Sequence, residues 1–329
     1  MRAIVCDDFG GIDALRLAER PEPVPGPGEV AIRVAASGVN FADTLLVTGE
    51  YQEKPQTPFS PGLEVAGTVS AVGAGVTHLA PGERVLAVTR HGGFAEVAIA
   101  REEATFAIPQ TLDFTTAAGF PVTYGTAHGA LVWRAGLQPG EILVVHGAAG
   151  GVGLATVEVG KAMGATVIAT AGGPEKVELA KSHGADHGID YRNEDLRARI
   201  KELTGGKGAD VVFDPVGGSA FEASLRSTAW GGRIVVIGFA SGEVPKVPAN
   251  LLLVKNLAVL GFYWGSYIQH APNLFRQQFV DLFRWYEAGR LHPLISRTFP
   301  LEDAAEALRA LKSRKTTGKI VVTVADGAS

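Results

Sequence analysis

Residues 141–170, EILVVHGAAGGVGLATVEVGKAMGATVIAT, constrain the fold of this chain more than any other stretch. Ile142 to His146 make a short apolar run with β-branched residues, followed by Gly147, Gly150, Gly151 and Gly153. An apolar pattern of helical period then reaches Met163 and Gly164, and a second β-branched run covers Thr166 to Thr170. Strand, glycine turn, helix, strand is the unit whose crossover in a parallel sheet is right-handed and aims the helix N-terminus at the end of the first strand. Backbone N–H groups without intrahelical acceptors gather there, the helix dipole favours anions, and glycines let a pyrophosphate approach closely. A lone glycine triplet is a weak signal, but here both strands and the helix stand where the mechanism needs them. Ala149, Gly150, Gly151, Val152 and Gly153 are therefore the expected pyrophosphate contacts; the alternative is a tight turn with a purely structural role.

An acidic residue ending the second strand would bind the ribose 2′-OH of NAD. The chain instead reads Ala169, Thr170, Ala171, Gly172, Gly173, Pro174, and only then Glu175 and Lys176. Small residues followed by a lysine leave room for a 2′-phosphate and supply a cation for it. The expected cofactor is NADPH, with Gly172 and Lys176 at its phosphate; the competing reading leaves Lys176 a solvated surface charge, as most lysines are.

A chain of 329 residues is long enough for two domains with real cores. It is 46% hydrophobic and 19% charged, the composition of a globular protein. With 30 basic and 34 acidic residues its net charge is −4, which offers no nucleic-acid-binding surface. Cys6 is the single cysteine, excluding an intramolecular disulfide and any multi-cysteine metal site. Met1 leads into Arg2-Ala3-Ile4-Val5 without a signal-peptide pattern, and no apolar run approaches a membrane span, so a cytoplasmic protein is expected.

Up to about Pro109 the chain has short β-rich runs (30–35, 64–72, 84–88, 94–100) separated by Pro25-Gly26-Pro27-Gly28, Gly73-Ala74-Gly75 and Pro81-Gly82. That spacing predicts a compact, mostly antiparallel β domain. A helical pattern over 112–135 leads onward. From Glu141, β and α alternate, with strands near 142–146, 166–170, 187–191, 210–214, 233–238 and 258–262. The fold class is α/β: a doubly wound parallel sheet beside a β-rich domain. An amphipathic segment (272–288), a short run (295–299), a helix (301–313) and a last strand (319–324) have no place in a six-stranded sheet. They are expected to return to the first domain, giving domains of 1–125 with 266–329, and 126–265.

The order of motifs resembles the medium-chain dehydrogenase/reductase superfamily, in its zinc-free NADPH:quinone oxidoreductase branch related to zeta-crystallin. The carrying segments are 37–43 (SGVNFAD), 60–67 (SPGLEVAG), 81–85 (PGERV), 92–96 (GGFAE) and 146–153 (HGAAGGVG). The resemblance implies a GroES-like β-barrel catalytic domain, a Rossmann cofactor domain, a cleft between them, and a homodimer commonly built by joining two Rossmann sheet edges. Zinc-dependent members place cysteine, histidine and cysteine where this chain has Asn40, Leu63 and Ala118, none of which is a normal zinc ligand. No metal is expected, and the chemistry must run on the cofactor.

Hydride from NADPH suits a small-molecule acceptor that stabilises the resulting anion itself, a quinone or a carbonyl-conjugated double bond. By resemblance, Asn40 and Asp43 line the nicotinamide cleft. Asn40 is either a donor to the acceptor or nicotinamide amide, or a turn-capping residue after Gly38. Asp43 is either a site residue or the N-cap of a helix beginning at Thr44. Tyr51 matches a cleft-mouth tyrosine that donates a proton in some enoyl-thioester reductases; otherwise it is a loop tyrosine. Thr123 and Tyr124 fall where the family packs residues on the nicotinamide; the alternative for either is ordinary helix packing. The resemblance sets Tyr191 against the adenosine phosphate, and Arg314 is similar to a cofactor-contacting arginine of bacterial quinone reductases, or else caps a helix end. Phe239, at the carboxyl end of the fifth strand, is expected among the cofactor contacts, walling the acceptor site or else the dimer edge.

The leading function is NADPH-dependent reduction of quinones or similar small electrophilic carbonyls. An enoyl-thioester reductase is the enzymatic alternative; it needs Tyr51 and a basic entrance, for which Arg90, Arg276 and Arg284 are available without forming a cluster. A crystallin-like structural or RNA-binding protein retaining NADPH is the non-enzymatic one, disfavoured by the acidic balance.

Overall fold

The computed structural model describes residues 1–324; residues 325–329, the tail of the expected 266–329 segment, lie outside the described residues. In chain order the strands are β1 (Arg2–Cys6), β2 (Leu15–Glu19), β3 (Glu29–Val39), β4 (Glu64–Val72), β5 (Arg84–Val88), β6 (Val97–Arg101), β7 (Thr105–Ala107), β8 (Ile142–Val145), β9 (Thr166–Ala171), β10 (His187–Asp190), β11 (Ala209–Asp214), β12 (Thr228–Val236), β13 (Ala258–Gly261), β14 (Ile295–Pro300) and β15 (Lys319–Thr323). The α-helices are α1 (Phe41–Leu46), α2 (Phe114–Ala118), α3 (Pro121–Gly129), α4 (Gly151–Ala162), α5 (Pro174–Ser182), α6 (Leu196–Leu203), α7 (Gly218–Ser227), α8 (Ala249–Lys255), α9 (Tyr267–His270), α10 (Pro272–Glu287) and α11 (Ala304–Lys312).

Two compact units divide the chain. The first comprises Met1–Val122, Ala271–Phe283 and the chain from Pro293; the second comprises Thr123–His270 and Arg284–His292. Residues 123–125 and 266–270, and likewise residues 284–292, expected with the first domain, group with the second. The reason for the latter is local: the His292 N–H donates to Glu158 Oε2 at 2.8 Å, the Arg290 guanidinium donates to the Ala162 carbonyl, and the Trp285 ring packs on His128.

In the first unit a seven-stranded sheet runs β14-β15-β3-β4-β5-β7, with β6 also paired to β3. All pairs are antiparallel except β14 with β15. β3 is the longest strand because it serves three partners, and its apolar residues Val30, Ile32, Val34 and Val39 join Val65, Val85, Phe94, Ile320 and Leu308 of α11 in one core. The β1–β2 hairpin and β7 have no counterpart among the strands expected from sequence. They are short strands whose pairing, Ala3 opposite Ala18 for instance, is what makes them strands.

In the second unit six parallel strands run β10-β9-β8-β11-β12-β13, the doubly wound order with its reversal between β8 and β11. Strands covered on both faces read as nearly continuous apolar runs, and Val144, Ile168, Ile189, Val212 and Ile234 supply one core residue from each of five strands. The single helical pattern expected over 112–135 is broken. α2 ends at Gly119, Pro121 opens α3, and the chain then winds into a π-helical stretch, Ala130–Ala135, closed by Gly136 at φ 57°.

Candidate active site and cofactor site

In an antiparallel sheet the end of a central strand lies beside the beginnings of both neighbours. β3 ends between β4 and β15: Ser37 is opposite Val65 on one side and Val322 on the other. Asn40, just past β3, therefore meets Glu64, the first residue of β4, and Lys319, the first residue of β15. Asn40 Nδ2 donates to Glu64 Oε1 at 2.8 Å, and Lys319 Nζ donates to Asn40 Oδ1 at 2.6 Å and pairs with Glu64 Oε1 at 2.6 Å. Glu64 Oε2 accepts the Val122 N–H at 2.8 Å. Asn40 is 7% exposed, Lys319 6% and Glu64 0%.

Asp43 completes this cluster from below. It is the third residue of α1, not its N-cap, and its carboxylate accepts the N–H groups of Asn40 at 2.8 Å and Gly62 at 3.1 Å. Burial pushes its pKa up to about 7 against those hydrogen bonds and the Lys319 charge, with Glu64 adding to the rise. Tyr51 is half-buried and packs against the core of the first unit. Arg314, also in the first unit, follows α11 with a left-handed backbone at φ 58°, its N–H bonded to the Leu311 carbonyl.

In the second unit the glycine turn has the predicted shape. Gly147 takes φ 61°, Gly150 is the N-cap of α4, and the N–H groups of Gly151, Val152 and Gly153 form its first turn, with Ala149 just before. A Cβ on Gly153 would fall on the Gly147 carbonyl oxygen, so the turn closes only with glycine there. His146 underpins this turn. Ser224 Oγ donates to the Ala220 carbonyl, so it accepts from His146 Nε2 at 2.7 Å, and Nδ1 accepts from Thr170 Oγ1 at 2.9 Å. Burial holds the ring below the ordinary histidine pKa, opposed by Asp214, so it is neutral.

At the end of β9 the register sets Asp190 beside Ala171. Asp190 Oδ1 accepts the Gly173 N–H at 2.8 Å, and Tyr191 and Arg192 then fold over Gly172: a Cβ there would stand 2.7 Å from Tyr191 Oη and 3.0 Å from Arg192 Nε. Lys176 lies on the first turn of α5 nearby. Partial burial, and then the Arg192 charge, hold its ammonium below the usual lysine pKa. Two adjacent cations, a phenol and a pair of glycines make a cradle for a dianion. Phe239 lies past β12, 38% exposed, with its ring beside Gly217. The Asp214 carboxylate turns that loop by accepting the Val216 and Gly217 N–H groups at 2.8 and 2.9 Å.

Thr123 is buried on α3. Tyr124 is committed elsewhere: its hydroxyl donates to Glu158 Oε2 at 2.6 Å, and burial followed by the Glu158 charge raises its pKa well above that of a free phenol. The predicted residues thus gather in two places. Asn40 and Asp43 meet in the first unit, where Tyr51 and Arg314 also lie; the glycine turn, Gly172, Lys176, Tyr191, Phe239 and Thr123 belong to the second. Glu64, Lys319 and Asp190 join these clusters without a sign in the sequence reading, which has Arg192 only as the neighbour of Tyr191. Arg192 adjoins Tyr191 and is legible as a neighbouring cation, whereas nothing local marks Lys319.

The donor set does not fit a catalytic zinc. Asn40, Leu63 and Ala118 offer neither thiolate nor imidazole, and an ammonium already sits between Asn40 Oδ1 and Glu64 Oε1. No group of three or more His, Cys, Asp or Glu residues arranged to hold a metal exists among the described residues. Nor is any described helix long and apolar enough to cross a membrane.

Comparison with known proteins agrees with this architecture. Residues 26–110 match the alcohol dehydrogenase GroES-like domain, and residues 151–285 match the zinc-binding dehydrogenase family. The quinone oxidoreductase-like protein 2 homolog of Nematostella vectensis is 42% identical over 98% of this chain and 88% of its own length. The quinone oxidoreductase of Escherichia coli, solved in complex with NADPH, superposes with a TM-score of 0.92 at 33% identity, covering 98% of this chain and all of its own (100%). That of Thermus thermophilus, also solved with NADPH, gives 0.86 at 37% identity, covering 98% and 100%. A GroES-like domain with a Rossmann domain, in one chain and in this order, places it: the chain belongs to the medium-chain dehydrogenase/reductase family of oxidoreductases, among its quinone-oxidoreductase-like members.

Proposed function

We propose that this protein is an NADPH-dependent reductase of quinones or similar small electrophilic carbonyl compounds that works by hydride transfer without a metal. The observation that carries the reading is Arg192 beside Gly172 and Gly173, near enough to lower the Lys176 pKa, where β9 itself ends in small residues and the neighbouring Asp190 is engaged by the Gly173 N–H. NADPH-bound relatives of the same family support the same cofactor. NADPH, when bound, supplies the hydride.

The chain's own residues bind and orient. Ala149 to Gly153 present backbone N–H groups to the pyrophosphate, and Lys176, Tyr191 and Arg192 take the 2′-phosphate. Thr123, Phe239 and Arg314 are assigned to cofactor contacts. Asn40 lies at the acceptor end with its amide fixed by neighbours, and Asp43 supports it from beneath without reaching the surface. The Lys319 ammonium among the oxygens of this cluster supports a metal-free reaction. We assign the homodimer surface to the edge strand β13 and to α8, whose Leu253 and Val254 are 78% and 68% exposed.

The test is NADPH oxidation by the metal-stripped protein with quinones and enoyl thioesters, followed by the nicotinamide absorbance. Turnover of quinones that survives chelation is expected. A preference for enoyl thioesters, or a rate that returns only with zinc, would replace this reading.

A further inference from the structure

Asn40, Asp43, Glu64 and Lys319 are a polar island at the edge of an apolar core, and their charges permit one arrangement. An ammonium faces Asn40 Oδ1 and a carboxylate faces Asn40 Nδ2. Reversing the amide would set NH₂ against NH₃⁺ and a carbonyl against a carboxylate, two repulsions at once. Glu64 divides its oxygens: Oε1 faces Lys319 and Asn40, and Oε2 holds the Val122 N–H at the start of α3, one residue before Thr123.

The surrounding chain is cut to accommodate this pair. A Cβ on Gly38 would overlap Glu64 Oε1 and the Ala118 carbonyl oxygen, and one on Gly119 would stand 2.8 Å from Lys319 Cγ. Two glycines on separate segments thus leave room for one ion pair. A buried pair brings little net stability over well-packed apolar residues, so its presence asks for another reason.

We propose that Lys319 is the built-in cation of this site and a positioning residue for the reaction: its ammonium locks the Asn40 amide in one sense and, through Glu64, holds the opening turn of α3. The role rests on the reductase reading above. Lys319 acts through Asn40 and Glu64 and not by touching cofactor or acceptor.

The experiment compares wild type, Lys319→Met, Glu64→Gln and the double variant. Lys319→Met keeps an unbranched side chain, one atom shorter, and removes the charge. It is expected to lower kcat about tenfold or more while KM for NADPH stays within about twofold, the signature of lost alignment. Its pH–rate profile should move to higher pH, since Lys319 on β15 and Glu64 on β4 are the charged side chains that oppose each other at Asp43. The double variant leaves no unpaired charge at positions 64 and 319, so it tests the idea even where the single variant does not fold. It should recover thermal stability but not rate. Wild-type kcat and pH profile in Lys319→Met, or rate recovered along with stability in the double variant, would overturn the proposal. A wild type inactive on every acceptor would count against the reductase reading alone; the proposal would then stand on the Asn40 side-chain amide resonances, which must shift in folded Lys319→Met or in the double variant, and unchanged resonances would refute it.

Discussion

The Tyr124 hydroxyl donates to Glu158 Oε2 at 2.6 Å, which ties α3 to α4 through a buried carboxylate. Glu158 also receives the His292 N–H and faces His183 Nδ1 through its other oxygen. Tyr124→Phe leaves that carboxylate with fewer donors. A loss of about 1–3 kcal/mol in urea unfolding is expected, the cost of an under-satisfied buried acceptor. An unchanged midpoint would mean that the bond contributes nothing.

At the phosphate cradle, Lys176→Ala and Arg192→Ala should each lower kcat/KM for NADPH by about tenfold or more and leave NADH use nearly unchanged, because NADH has no 2′-phosphate to lose contact with. The quantity to measure is the NADPH:NADH ratio. Should it hold steady in both variants, the cradle binds something else.

Two glycines of one turn separate folding from binding. Gly153→Ala puts a methyl on the Gly147 carbonyl and should destabilise the second unit by about 1–3 kcal/mol. A Cβ on Gly150 meets nothing closer than 3.5 Å, so Gly150→Ala should keep its melting temperature and weaken NADPH binding where the pyrophosphate approaches. Calorimetry and cofactor fluorescence quenching report the two effects; equal melting temperatures in both variants would contradict the packing argument.

Asp43 gives stability a pH signature. In the unfolded chain an aspartate has released its proton by about pH 5, whereas buried Asp43 keeps its own until about pH 7. Between those values the folded state binds the extra proton, so this group's contribution falls as pH rises from about 4 to 7 and is constant above. The melting temperatures of wild type and Asp43→Asn should therefore diverge in slope over that window; parallel curves would show that the carboxyl is ionised throughout.

The proposed homodimer predicts that replacing Leu253 and Val254 of α8 by glutamate turns dimer into monomer in light scattering without unfolding the second unit, and a wild type that is already monomeric would refute it. A persistent dimer would move the interface away from that helix.

What can be read in the sequence is local. The glycine turn, its strands and its helix lie within one continuous stretch, and each predicts the next through period and turn chemistry. The phosphate cradle is half legible: Lys176 and Tyr191 stand out, but the part played by Arg192 depends on the β9–β10 register that lays it over Gly172. Lys319 is illegible because its partner Asn40 lies 279 residues away, and only the pairing of β15 with β3 brings them together. The N-cap alternative for Asp43 fails in its position: α1 starts at Phe41 with Asn40 as its N-cap, and Asp43 caps from the third helical residue, a place that a Phe-Ala-Asp sequence does not show. The π-helical stretch leaves no local mark at all.

The strand β15 follows the entire second unit in the sequence, yet it completes the sheet of the first. During synthesis the acidic pair at β4 and α1 is therefore made long before the lysine that neutralises it. Until then the two carboxylates, both fully buried in the folded protein, lack their counter-cation. Charge compensation of the cluster therefore comes only after the whole second unit has been made.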